Sequence, residues 1–300
     1  MATNPSQNVY GAHIASDLEW VIFSPNLLID TICPDLASLR QSRVIVEEVK
    51  RAPEQLLNFI STMKRKNLGT YFEHLVFYWL ECLDDVQVIN RNLQIYSGKE
   101  TIGEIDLLFT YKKQIYHWEL SVKFYANVGS GLDEDKWVGP LKKDNLKRKL
   151  DRLFDHQLPL LLRPQSQEAI SPITSKEIIS SPYVKGMLFA KADGKIPQLL
   201  PQRVSSNCLL SKWCFLSDLE THLPQNASHY CLLSKSQWLG TLDKKNWTPI
   251  STLEDLMSEL TAHLAASPSP VLVAFGEGSA LQLQGISRIF VMQNDWLNTP

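Results

Sequence analysis

Two segments constrain this chain most: Gly103-Glu-Ile-Asp-Leu-Leu-Phe109 and His117-Trp-Glu-Leu-Ser-Val-Lys123, with a turn-like Tyr111-Lys-Lys-Gln114 between them. In a β-strand, successive side chains point to opposite faces. The second segment therefore places His117, Glu119, Ser121 and Lys123 on one face. Tyr116, Trp118, Leu120, Val122 and Phe124 form an apolar face opposite. In the first segment Glu104 and Asp106 share a face, opposite Ile105, Leu107 and Phe109. A hairpin that pairs the two polar faces brings Asp106 and Glu119 together. Carboxylates beside an ammonium suit a Mg²⁺-dependent phosphodiester hydrolase. The oxygens hold a hard cation, and the lysine orients water or offsets phosphoryl charge. A plain amphipathic hairpin with a solvated polar face satisfies the same alternation. The strand pair alone does not choose between the two.

The flanking segments supply context. Residues 1–30 are mixed, Ser38 to Glu48 reads as the first helix, and Glu54 to Met63 as the second. Thr70 is a fair N-cap for a strong helix over Tyr71 to Leu83. Phe72, Leu75, Val76, Trp79 and Leu83 give that helix one buried face, with Glu73 in its first turn. Val86 to Tyr96 reads as a strand. Asp144 to Leu158 reads as a basic amphipathic helix with a stripe of Leu146, Leu150, Leu153 and Phe154. Lys142, Lys143, Lys147, Arg148, Lys149 and Arg152 crowd the helix and its approach. Such a run predicts salt-sensitive, sequence-independent contact with a phosphate backbone, or an ordinary solvated face. Lys149, Arg152 and His156 share a helical spacing. Pro164 to Pro182 reads as a loop and Tyr183 to Ala190 as a strand.

From Tyr71 the order is helix, strand, strand, strand, basic helix, strand. That order specifies an α/β sandwich, a mixed sheet with helices packed on it. Beyond about residue 195 the chain changes character, with Trp213, Trp238, Trp247 and Trp296 among short strands and turns. Leu253 to Ala265 reads as a helix, Val271 to Phe275 and Ile289 to Met292 as strands, and Gly276 to Gly278 as a turn. The expected boundary lies near 192–202. It gives an α/β domain over 1–195 with an N-terminal helical extension, and a Trp-containing α+β domain over 196–300. At these spacings the tryptophans fill a core more readily than they stack bases.

A formal net charge of −2 excludes a chain coated in positive charge but permits local basic patches. The five cysteines are widely spaced, and no CxxC occurs. Free buried thiols are expected, rather than a disulfide framework or a zinc site. No basic-then-apolar leader opens the sequence, and no apolar run nears the roughly 20 residues that span a bilayer. A soluble cytoplasmic protein is expected, with no membrane partner. No phosphate-binding glycine loop is present, so no small-molecule cofactor is expected either.

These residues, in this order, resemble the PD-(D/E)XK nuclease superfamily, whose restriction-endonuclease-like core is αβββαβ. The resemblance implies a mixed central sheet flanked by helices, with an α+β part following it. Asp106 matches the strand acid of that superfamily and Glu119 the acid of its Glu-x-Lys strand. Glu73, in Gly69-Thr-Tyr-Phe-Glu73, matches its helix acid. The closer likeness is to the DUF1853 family. It runs through Gly103-Glu-Ile-Asp106, His117 to Phe124, Gly139-Pro140, Asp144 to Gln157 and Arg288-Ile-Phe-Val291…Trp296. The superfamily resemblance implies Mg²⁺ or Mn²⁺ held by Asp106, Glu119 and Glu73. It also implies a catalytic Lys123 and DNA held by Lys142, Lys143, Lys149 and Arg152. One position departs from the pattern: Ser121 stands where Glu-x-Lys has lysine, and Lys123 lies roughly 6.6 Å further along the strand. Two readings follow, a metal-dependent DNA nuclease with a displaced lysine and a catalytically degenerate nucleic-acid-binding or protein-interaction module.

Overall fold

A computed structural model describes residues 13–29, 33–64, 67–174, 176–193, 199–240, 246–267, 269–279 and 282–298. The helices are α1 (Ile14–Phe23), α2 (Arg40–Arg51), α3 (Glu54–Ser61), α4 (Leu68–Glu81), α5 (Leu146–Arg152), α6 (Pro164–Ile170), α7 (Leu219–His222) and α8 (Leu253–Ala266). The strands are β1 (Val86–Ser97), β2 (Glu100–Tyr111), β3 (Gln114–Asn127), β4 (Trp137–Val138), β5 (Ile178–Lys191), β6 (Leu209–Phe215), β7 (His229–Leu233), β8 (Thr248–Pro249), β9 (Val271–Ser279) and β10 (Gln282–Met292). The chain divides into two compact units. One comprises residues 1–122 and 148–185, the other 123–147 and 186–300. The boundary expected at 195/196 falls among residues 194–198, outside the described residues.

The first unit is built on β1, β2, β3 and β5, in that order. β1 and β2 pair antiparallel, as do β2 and β3. Lys112 and Lys113 join β2 to β3 with φ of 49° and 68°. Positive φ at both central residues matches the right-handed twist of a two-residue hairpin. α4 is buried along most of its length, from Tyr71 and Phe72 through Leu75 to Leu80. Its Trp79 ring meets Trp118 of β3 at 6.3 Å, and Trp118 stacks on Tyr183 of β5 at 4.5 Å. These large rings fix the apolar face of β3 in place. A second cluster packs Ile95, Ile105 and Leu108 against Leu160, Leu161 and Ile170. The sheet of this unit is thus mixed with helices in an α/β arrangement.

The second unit carries a mixed sheet. β5 pairs parallel with β6, and β6 parallel with β10, whereas β10, β9, β7 and β8 follow antiparallel. α8 is capped by Thr252, whose hydroxyl accepts from the Asp255 amide at 3.0 Å. It buries Leu256, Leu260 and Leu264 against Val271, Val273, Phe275, Ile289 and Val291. The four late tryptophans are buried, as the spacing predicts.

Several expectations are corrected. The first helix of the described residues is α1, not the segment from Ser38. Its Ile14, Leu18, Val21 and Ile22 are buried, but Asp17 is buried among them and donor Tyr71 Oη binds it at 2.8 Å. That buried acid obscured the apolar stripe. α4 starts earlier, at Leu68, because Asn67 rather than Thr70 is the cap: the Asn67 side chain accepts from the Thr70 amide at 3.0 Å. Glu73 consequently lies in the second turn. The stretch from Pro164 to Pro182 holds α6 and the start of β5, with Pro164 at the first helical position, where a missing N–H costs nothing. Gly276 to Gly278 lies within β9 rather than in a turn. The basic helix is shorter than expected. α5 ends at Arg152, and Leu153–Gln157 continues as a π turn before a 3₁₀ turn over Leu158–Leu162. All five cysteines are free thiols, as expected; Cys208, Cys214 and Cys231 are buried, and Cys33 and Cys82 only partly so. No helix among the described residues is long and apolar enough to cross a membrane.

Candidate active site

β2 and β3 pair in register from Tyr111↔Gln114 to Leu107↔Trp118. One further step of that register sets Asp106 opposite Glu119. There the ladder changes character. The Leu120 amide donates to Asp106 Oδ2 at 2.8 Å instead of to a backbone carbonyl. The register thus sets the two acids side by side, and both hold a proton more tightly than an ordinary carboxyl.

The surroundings explain why. Burial raises Asp106 to about 8, and the nearby Glu119 charge raises it further against the Leu120 N–H bond. Burial likewise raises Glu119 to about 7, opposed by the Lys149 ammonium. Glu73, half-buried on α4, is raised to about 8 by burial and then by the Asp106, Glu104 and Glu119 charges. Lys149 lowers all three carboxylates. Four acids thus face one another with one ammonium among them, and proton uptake relieves the repulsion.

Both oxygens of Glu119 are anchored. Oε1 is 2.9 Å from His117 Nε2, and Oε2 accepts from Gln157 Nε2. His117 is fully buried, and burial lowers it to about 4, so the ring is neutral. A neutral imidazole that donates from Nε2 to Glu119 accepts at Nδ1, and Ser180 Oγ lies 3.1 Å from that atom. Gln157 Oε1 in turn accepts from Lys149 Nζ at 3.0 Å. A continuous chain therefore runs Ser180–His117–Glu119–Gln157–Lys149. The π turn puts Gln157 in this position, since it shifts the residues after Arg152 off the ordinary helical spacing.

The predicted residues separate into two groups. Glu73, Asp106, Glu119 and Lys149 come together, with Glu104 and Arg152 beside them. Lys123 belongs to the second unit, where its ammonium binds Asp144 Oδ2 at 3.1 Å; Tyr125 Oη donates to the same oxygen at 2.8 Å. Lys142 donates to the Trp296 carbonyl at 2.6 Å and lies over its ring. Lys143 is exposed on the same approach segment. The odd-numbered face of β3 is not a solvated polar face: His117 and Glu119 are 0% and 1% exposed. Gln157 and Arg163 were not legible as site residues. Gln157 lies eight residues from Lys149, two helical turns, and that spacing was the one available signal.

The donor set fits a hard divalent cation in its chemistry. Crowded carboxylates that take up a proton to relieve repulsion would be relieved equally by Mg²⁺ or Mn²⁺. Asp106 and Glu119 are the two that the strand register sets opposite each other. Among the described residues, no three His, Cys, Asp or Glu side chains form a ready three-ligand group, so the fit is that of a two-carboxylate site.

The family model described as "Domain of unknown function (DUF1853)" matches residues 16–292, and the chain belongs to that family. No curated protein and no solved structure matches it.

Proposed function

We propose that this protein is a metal-dependent nuclease with a core of the PD-(D/E)XK type, cutting phosphodiester bonds in DNA. The observation that carries the reading is the Asp106–Glu119 dyad. The two acids lie opposite each other at the point where the β2–β3 register ends, with raised proton affinity and the Lys149 ammonium acting on both. Asp106 and Glu119 would hold Mg²⁺ or Mn²⁺, with Glu73 as an outer acid. The ion would supply an activated water and charge neutralisation at phosphorus. The Leu120 amide, His117 and Gln157 keep the carboxylate oxygens in one orientation, so little reorganisation is needed when a cation arrives. Lys149 offsets charge beside the dyad, and we assign it the role that the superfamily motif gives to its strand lysine. Lys123, neutralised by Asp144, is then a stabilising residue. Arg152 and the exposed cations of the α5 segment suit a phosphate backbone.

The test is cleavage of single-stranded, duplex, flap and junction DNA with Mg²⁺ or Mn²⁺. Wild type should cut at least one of these only with metal. Asp106→Asn and Glu119→Gln should each lose about 10²-fold or more in rate, the scale expected for a preorganised electrostatic group. Lys149→Ala should lose activity comparably, whereas Lys123→Ala should lower thermal stability more than rate. Metal-independent cleavage, or full activity in both carboxylate variants, would reject the proposal. Salt-sensitive binding without turnover in wild type would instead favour a degenerate binding module.

A further inference from the structure

The cleft beside Asp106 has two walls. β2 contributes Ile102, Glu104 and Asp106, and the end of α5 with the segment after it contributes Arg152, His156, Leu160 and Arg163. Its volume is about 440 Å³, at the small end of the roughly 300–1,000 Å³ typical of pockets that enclose one small molecule. Among the described residues, the side chains of Arg152 and Arg163 have no hydrogen-bond or ion-pair partner. Two unpaired guanidinium groups thus line a cavity that also holds apolar side chains (Ile102 and Leu160), two acids (Glu104 and Asp106) and the polar His156 and Gln157. A guanidinium presents a planar fork of donors that matches phosphate oxygens. A paired duplex is a rigid rod with its phosphates outside and its bases stacked within, and it cannot place a nucleotide inside a cleft of this size. An unpaired nucleotide can.

We infer that this cleft holds one unpaired nucleotide, its phosphate taken by Arg152 and Arg163 and its sugar and base set against Ile102 and Leu160. The inference rests on the nuclease reading and narrows it: the substrate is single-stranded or locally unpaired nucleic acid, not continuous duplex. In this arrangement the phosphate bound by the arginines adjoins Asp106, and the bond next to it is the one presented to the dyad.

The probe is a short fluorescein-labelled oligothymidylate, with binding followed by anisotropy. Binding is measured in Ca²⁺ and again in chelator, at fixed salt. Unlabelled single-stranded DNA and thymidine monophosphate should displace the probe, and relaxed closed-circular duplex at equal nucleotide concentration should not. Arg152→Ala and Arg163→Ala should each weaken binding about tenfold, the loss expected for a charge-assisted hydrogen bond. Both side chains are exposed, so an unchanged melting temperature certifies the fold. Competition by linear and circular single strands alike assigns an interior nucleotide, and competition by linear strands alone assigns a strand end; either upholds the inference. Equal competition by closed duplex, or wild-type affinity in both arginine variants, overturns it. The two readings fail separately. Absent hydrolysis with this binding pattern intact rejects the nuclease alone. Metal-dependent hydrolysis with equal binding to closed duplex rejects the unpaired-nucleotide pocket alone.

Discussion

At the scale of single residues, the dyad makes the fold pH-sensitive in a direction opposite to that of most acids. Asp106, Glu119 and Glu73 have raised proton affinity in the folded chain. The native state therefore binds more protons than the unfolded chain between the ordinary carboxylate range and about pH 8. Where the native state binds more protons, stability falls as pH rises. Without divalent metal, the melting temperature should drop between about pH 5 and about pH 9, and Asp106→Asn should flatten the drop. A flat wild-type profile, or one that rises across this range, would show that the three acids do not repel as described. His117 opposes this trend in the lower part of the window: burial lowers it to about 4, so below about pH 6.5 the unfolded chain binds its proton and stability gains as pH rises; in the fold the neutral ring orients Glu119. A histidine between polar neighbours on a strand reads equally well as exposed or catalytic. Its burial depends on Ser180, contributed by β5, which strand alternation within β3 cannot reveal.

At the scale of elements, two glycines separate backbone demand from side-chain packing. Gly186 in β5 has φ +157°, and a Cβ there would sit 1.9 Å from the Lys123 carbonyl oxygen. Backbone cannot yield that far, so Gly186→Ala should cost about 3 kcal/mol or more. Gly103 in β2 is different. A Cβ there would meet the Leu160 Cδ2 atom at 2.6 Å, the mobile end of a side chain, and Gly103→Ala should cost about 1 kcal/mol. Equal urea midpoints for the two variants would contradict this contrast. The period of two that defines β2 and β3 was legible because their apolar face is packed by Trp118 and Phe109 over its whole length. α5 was only half legible. Its leucine stripe is real, with Leu146, Leu150 and Leu153 buried. The π turn that follows leaves no mark in hydrophobic spacing, yet it places Gln157 between Glu119 and Lys149. α1 and α6 were lost to a buried Asp17 and to a Pro-rich start that resembles a loop.

At the scale of the whole molecule, α4, β1, β2, β3, α5 and β5 follow in the order expected from Tyr71 onward, with β4 and α6 intervening where loops are expected. The inserted segment 123–147 could not. It belongs with residues 186–300 although its first residues are the end of β3, because long-range partners such as Trp213 Nε1 on the Asn127 carbonyl draw it there. Lys123 pairs with Asp144 within that unit, and Lys149 is the ammonium that lowers Glu73, Asp106 and Glu119. Local pattern thus places Asp106 and Glu119 on facing strands, while the lysine that acts on both comes from α5.

The most direct measurement is calorimetric titration of Mn²⁺ into the wild type, Asp106→Asn and Glu119→Gln, in two buffers of different ionisation enthalpy near pH 7. The wild type should bind Mn²⁺ with a buffer-dependent heat, because a cation held by these acids displaces the proton that their raised affinity retains. Both variants should lose that binding and that proton release. Mn²⁺ bound equally by all three proteins, or by none, would contradict a cation site at Asp106 and Glu119.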